Sequence, residues 1–74
     1  MARLPRKVSG KALLKVFHRL GFEVIRQRGS HVFLRHLDGR RLTIPVYNTI
    51  PLNLISWILA EAKVTRQEFL ELLK

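Results

Sequence analysis

Residues 23–45 read EVIRQRGSHVFLRHLDGRRLTIP and predict an antiparallel β-meander with strands at 23–28, 31–36 and 40–45. Gly29-Ser30, between the first two strands, suits a two-residue hairpin turn with glycine at its first position. This turn would pair Arg28 with His31 and Ile25 with Leu34. The meander is therefore the framework around which the rest of the chain is expected to fold.

The second hairpin allows two connections. A two-residue turn at Asp38-Gly39 would divide the apolar residues between both faces of the sheet. A three-residue loop, Leu37-Asp38-Gly39, would place Gly39 in the left-handed conformation and gather the apolar residues on one face, so it is preferred. The face expected to contact helices then carries Ile25, Val32, Leu34, Leu42 and Ile44. The opposite face carries Val24, Arg26, Arg28, His31, Phe33, Arg35, Arg41 and Thr43.

Helices are predicted on both sides of the meander. Ser9 can cap a first helix at 10–20, which Gly21 would end. A second helix is predicted at 52–62, with Trp57 as a partly buried core residue and an interface role as the other interpretation. Thr65 and Glu68 form a capping box for a third helix at 66–73. The predicted fold is α+β in the order α-β-β-β-α-α, a single domain over 1–74.

The positive charge is concentrated in the first part of the chain. The formal net charge is +9, and residues 1–41 hold eleven Lys/Arg against two acids, whereas 42–74 balance. Lys11, Lys15 and Arg19 would form a basic ridge on the first helix. This asymmetry favours a polyanionic partner such as nucleic acid over a merely soluble basic surface. The chain lacks cysteine and an apolar run of bilayer length, so a cytoplasmic protein without a membrane segment is expected.

His31 is the leading candidate for chemistry. Metal-free RNA cleavage needs a base for the 2′-hydroxyl and cations to stabilise a pentavalent phosphate. A histidine among arginines can supply both, although a histidine that only hydrogen-bonds a phosphate or a loop would have the same sequence. His18 and His36 are interpreted as solvated or locally bonded. The histidine spacing and the scattered acids favour no metal site, and no cofactor is expected.

The sequence resembles the HicA mRNA interferase toxins of bacterial toxin–antitoxin modules over nearly its whole length. The matching segments are Ser9-Gly10-Lys11, Leu13-Leu14-Lys15, Gly21-Phe22-Glu23, Arg26-Gln27-Arg28-Gly29-Ser30-His31, His36-Leu37-Asp38-Gly39-Arg40, Ile44-Pro45, Ile58-Leu59 and Glu68-Phe69-Leu70-Glu71-Leu72-Leu73. The resemblance implies a double-stranded-RNA-binding-domain-like fold, metal-independent cleavage of mRNA, catalysis by His31 and a HicB-type antitoxin as partner. Tyr47 stands where many members have a second histidine.

Three functions follow from these observations. The first is an endoribonuclease toxin with His31 as general base or acid. The second is a non-catalytic RNA-binding module of the same fold. The third is an interaction domain whose basic surface binds an acidic protein. For the first two, the expected RNA-binding residues are Lys11, Lys15, Arg26, Arg28, Ser30, Phe33, Arg35 and Arg41.

Overall fold

The computed structural model describes residues 4, 5 and 7–73 and shows a three-stranded antiparallel sheet packed against helices. The elements are α1 (Gly10–Arg19), β1 (Phe22–Arg28), β2 (His31–His36), β3 (Arg41–Pro45), α2 (Leu52–Ala62) and α3 (Arg66–Leu73). The predicted α+β class and the order α-β-β-β-α-α are confirmed. The bounds of β2, α2 and α3 are as predicted, and the other three elements differ by one residue at one end.

Both hairpins have the predicted connections. Gly29 has a φ of +57°, and Arg28 pairs with His31 across the two-residue turn. Gly39 has a φ of +100°, and Leu34 pairs with Leu42 beyond the three-residue loop. The strand order is β1-β2-β3, so β2 lies in the centre of the sheet.

A β-bulge in β1 changes the predicted register of the first hairpin. Val24 pairs with Leu34 and Arg26 with Phe33, which leaves Ile25 as the extra residue between them. The predicted pairing of Ile25 with Leu34 is therefore wrong, because one inserted residue shifts every pair beyond it. Ile25 and Val24 are 48% and 58% exposed, so neither belongs to the buried core.

The register defines the solvent-facing side of the sheet, here called the outer face. Its cross-strand rows are Glu23–Arg35–Arg41, Arg26–Phe33–Thr43 and Arg28–His31–Pro45. Pro45, at the end of β3, is buried. The prediction for this face is confirmed except for Val24. Val24 pairs with buried Leu34 and therefore belongs to the opposite side of the sheet, and Glu23 occupies the outer-face position predicted for Val24. The opposite side presents Val32, Leu34, Leu42 and Ile44 to the helices, and all four are buried.

The core between the sheet and the helices is aliphatic and aromatic. Phe17 of α1 meets Phe22 edge to face, with ring centroids 5.4 Å apart. The other large fully buried side chains include Phe69, Ile50 and Ile55. Since a fully buried apolar side chain contributes about 1.5–3 kcal/mol, these residues dominate the stability of the fold.

Trp57 is not a core residue, contrary to the expectation from the sequence. Its side chain is 68% exposed. Ile55, Ile58, Leu59 and Ala62 already fill the buried stripe of α2, and Trp57 lies outside that stripe. Within the described residues, no helix is both long and apolar enough to cross a membrane.

The helix ends have the predicted caps. The Ser9 hydroxyl accepts a hydrogen bond from the Ala12 amide at 3.1 Å. Thr65 and Glu68 form the capping box of α3, with both reciprocal bonds to backbone amides at 3.1 Å. Gly21 follows the last turn of α1 and has a φ of +96°, in agreement with the prediction that this glycine ends the helix.

Asp38 stabilises the β2–β3 loop through Arg40. The Arg40 backbone amide donates to Oδ1 at 3.0 Å and its Nε to Oδ2 at 2.8 Å. These bonds from Arg40 hold the pKa of Asp38 below its ordinary value of 3.8. The stabilisation is therefore present at neutral pH and is lost as the pH falls through that lowered pKa.

Candidate nucleic-acid interface

His31 opens the central strand at one end of the outer face. It is exposed and lies between Arg28 on β1 and Pro45 on β3. The Val46 amide donates to the Ser30 carbonyl oxygen at 2.7 Å, which joins the end of β3 to the first hairpin turn. The backbone around His31 is thus held from both sides while its imidazole remains accessible.

The start of α1 lies at the same end of the molecule. The Gly10 amide donates to the Tyr47 carbonyl oxygen at 2.9 Å. A Cβ at Gly10 would lie only 2.7 Å from the Cα of Val46, so glycine permits this close approach of helix and loop. Lys11, the next residue, is exposed, and so is the side chain of Tyr47.

The outer face is cationic and carries an aromatic ring at its centre. Arg26, Arg28, Arg35 and Arg41 are all exposed. The Arg26 guanidinium lies over the Phe33 ring, 4.8 Å from its centroid. Guanidinium groups pair with phosphates through two bonds, and both planar groups can stack on a nucleic-acid base. The face therefore combines charge for a phosphate backbone with surfaces for bases.

The basic ridge of α1 lies apart from the outer face. Lys11, Lys15 and Arg19 are exposed and border a groove formed with Leu72 and Leu73 of α3. Arg19 also donates to the Leu72 carbonyl oxygen at 3.2 Å. The structure brings His31, Ser30, Phe33 and the four strand arginines onto one surface, whereas the lysines of α1 lie on a neighbouring one.

His36 has a structural role, in agreement with its interpretation as locally bonded. Its Nε2 lies 3.1 Å from the Leu20 carbonyl oxygen, and its Nδ1 accepts from the Asp38 amide at 3.1 Å. With Nδ1 accepting from that amide, Nε2 is the nitrogen that donates to the Leu20 carbonyl oxygen. Asp38 Oδ1 also lies 3.1 Å from Nδ1, but a nitrogen that accepts from an amide carries no proton to share with it. His18 is exposed on α1, in agreement with its interpretation as solvated.

Residue types that bind metals are dispersed in this fold. Within residues 4, 5 and 7–73, no three His, Asp or Glu side chains are grouped so that they could hold a metal ion.

The element order and the outer face define a small α+β domain with one strongly basic, histidine-bearing sheet surface. A family model described as HicA toxin of bacterial toxin-antitoxin matches residues 10–64, well over half of the chain. The chain belongs to the HicA toxin family, which confirms the resemblance described above. The match begins at α1, includes the whole outer face, and ends just after α2. No curated protein matches the chain.

Proposed function

We propose that the protein is a cytoplasmic endoribonuclease toxin that cleaves mRNA and is neutralised by a HicB-type antitoxin. The observation that carries the proposal is the exposed His31 at the end of a cationic sheet face, in a member of a toxin family. The proposed RNA-binding residues are Ser30, Phe33 and the outer-face arginines Arg26, Arg28, Arg35 and Arg41, with Lys11 and Lys15 as contacts along α1.

The proposed reaction uses His31 as general base. Neutral imidazole takes the proton of a ribose 2′-hydroxyl, the 2′-oxygen attacks the adjacent phosphorus to form a 2′,3′-cyclic phosphate, and the 5′-oxygen leaves as a hydroxyl with a proton from water. When water later opens the cyclic phosphate, the imidazolium returns its proton to the departing 2′-oxygen. Arg28 is the nearest proposed phosphate ligand, because directly paired residues of antiparallel strands have Cβ atoms about 4.5–5.5 Å apart. Its guanidinium would stabilise the charge of the pentavalent phosphate.

The proposed reaction needs no metal ion. Support comes from the residues themselves, since the described ranges group no three carboxylate or imidazole side chains as metal ligands. RNA cleavage is expected to continue in excess EDTA. Activity that disappears in EDTA and returns with magnesium or manganese would contradict the histidine mechanism.

The decisive experiment compares two exposed histidines. Purified His31→Ala and His18→Ala variants are incubated with total RNA and chelator, and the fragments are resolved on a gel. We expect His31→Ala to lose roughly 10²–10⁴-fold in rate, as for a general base, and His18→Ala to cut normally. Both variants should stay folded, since exposed substitutions change stability by less than about 0.5 kcal/mol. Unchanged cleavage by folded His31→Ala would exclude His31 as the catalyst.

A non-catalytic RNA-binding module is the second candidate. The stack of Arg26 on Phe33 favours it, because that pair can bind a base without contributing to chemistry. The same gel separates the two functions: a native protein that shifts RNA in a binding assay but leaves it intact is a binding module. Salt-sensitive binding to an acidic protein, with none to RNA, would instead indicate an interaction domain.

A further inference from the structure

The groove between α1 and α3 carries a row of cations beside an apolar floor. Lys11, Lys15 and Arg19 recur every fourth residue along α1 and line the groove, whose volume is about 390 Å³. The floor consists of four apolar residues, Ala12, Val16, Leu72 and Leu73. Residues four apart on a helix lie on one face, so the positive charges and the apolar surface run side by side along the groove.

The cations of the groove lack carboxylate partners within the described part of the chain. In those ranges ion pairs form only at Asp38, on the β2–β3 loop, and the groove lining contains no acid. Arg19 donates to the Leu72 carbonyl oxygen at 3.2 Å, which fixes its guanidinium at the α3 side of the groove. A guanidinium has five N–H donors, so this bond leaves most of them for a ligand.

The cationic side of α1 points away from the sheet. Leu13 and Phe17 are buried, and Phe17 contacts Phe22 of β1. Lys15 is two residues from each of them, roughly 200° around the helix, and therefore lies on the opposite side of α1. An RNA strand on the outer face would lie beyond the sheet and would leave this groove uncovered.

An amphipathic helix of an acidic protein fits this groove better than RNA does. The floor is aliphatic and offers no aromatic ring on which a base could stack. The cations recur at roughly 6 Å along α1, and carboxylates four residues apart recur at the same interval on a second helix lying along it. The net charge of +9 opposes a second copy of the chain as the occupant.

We propose that the α1–α3 groove binds an amphipathic helix of an acidic partner protein. Carboxylates of that helix pair with Lys11, Lys15 and Arg19, and its apolar side chains cover the floor of the groove. This binding does not depend on RNA cleavage. Lys15, proposed above as an RNA contact, thus has a protein ligand as the alternative, and the experiment decides between the two.

The test uses a fluorescein-labelled synthetic peptide of about 18 residues, long enough to form a helix, with Glu and Leu in adjoining stripes at helical spacing. Fluorescence anisotropy gives its Kd for the full-length protein. Lys15→Gln combined with Arg19→Gln should weaken binding by roughly 2- to 25-fold, the loss expected for two exposed ion pairs. Arg28→Gln combined with Arg66→Gln removes the same charge outside the groove and should leave the affinity unchanged. Circular dichroism verifies that each variant is folded.

Two further peptides test the amphipathic pattern. A scrambled peptide of the same composition, and one with Ser in place of Leu, should both bind more weakly than the first. Equal binding of the three peptides, or equal losses in the two double variants, would mean nonspecific attraction to a basic chain and would overturn the proposal.

A competing RNA separates the two kinds of ligand. Displacement of the peptide by a short oligoadenylate would assign the groove to RNA and overturn the proposal. A peptide that stays bound in excess oligoadenylate supports it. Native protein that binds the peptide in the expected pattern but leaves RNA intact would overturn the endoribonuclease function alone.

Discussion

Gly21 connects α1 to β1 at a position where two constraints meet. Its φ of +96° disfavours any residue with a Cβ, and a Cβ there would lie 2.9 Å from His36 Nε2. His36 cannot easily move away, because it is bonded to the Leu20 carbonyl and packs against Phe22 with ring centroids 5.1 Å apart. The glycine and the histidine therefore form one structural unit.

At this residue scale, Gly21→Ala is predicted to destabilise the fold by more than Gly39→Ala. Both glycines have φ near +100°, so each substitution incurs a backbone cost of roughly 1–2 kcal/mol. A Cβ at Gly39 meets nothing within 4 Å, so only Gly21 adds a clash with His36. Urea unfolding of the two variants measures the difference. Equal losses in the free energy of unfolding would show that the His36 ring can move away from the new Cβ without destabilising the fold.

At the scale of elements, the Ser9 cap is predicted to stabilise α1 measurably. Ser9→Ala removes the acceptor of the Ala12 amide and should reduce the free energy of unfolding by about 1 kcal/mol. Ser9→Asn keeps an acceptor without adding charge and should restore most of the loss. Thermal unfolding followed by circular dichroism provides the measurement. An alanine variant as stable as the native protein would mean that water replaces the hydroxyl at no cost.

The elements that could be predicted from the sequence are those with specific end signals. Gly29 and Gly39 mark the two hairpin loops, and Thr65 with Glu68 marks the start of α3. The bulge has no such signal: Val24 and Ile25 are both β-branched and fit either side of a regular strand. The packing of Leu34 against the helices decides whether Val24 or Ile25 is its cross-strand partner, and this packing is a tertiary effect that the local sequence does not show.

The strand positions of the candidate site can be predicted from the sequence, whereas the exposure of Trp57 on α2 cannot. His31 and its arginines follow from strand alternation, which needs only the correct turn. Trp57 was misjudged because large aromatic residues are usually buried, whereas the four aliphatic residues of α2 already complete its buried stripe. Buried Val8 and Ile50 were also missed, since they lie in loops where no period reveals which side chains face inward.

At the scale of the whole molecule, charge is separated between surfaces. The outer face and α1 carry exposed basic side chains, while α3 holds Glu68 and Glu71 beside Arg66. Arg28→Gln is predicted to weaken RNA binding and to lower the salt-dependence slope by about 0.7 for one lost single-strand phosphate contact. Titrations with one oligonucleotide at several salt concentrations give that slope.

Arg66→Gln is the matched control, because Arg66 is an exposed arginine on α3 and should leave the slope unchanged. Lys63 is less suitable, since it ends α2 with a φ of +56° and its substitution changes a strained cap. If Arg66→Gln lowers the slope as much as Arg28→Gln, RNA contacts the C-terminal helices and not the outer face.

The distribution of the core along the chain has a consequence for synthesis. The buried apolar residues at or after position 50 are Ile50, Ile55, Ile58, Leu59, Ala62, Val64 and Phe69. The basic strands therefore leave the ribosome before the side chains that must cover their apolar side. Until α2 and α3 emerge, the nascent strands are an unsupported polycation beside ribosomal RNA, and the arrangement around His31 forms only after Phe69 has been released.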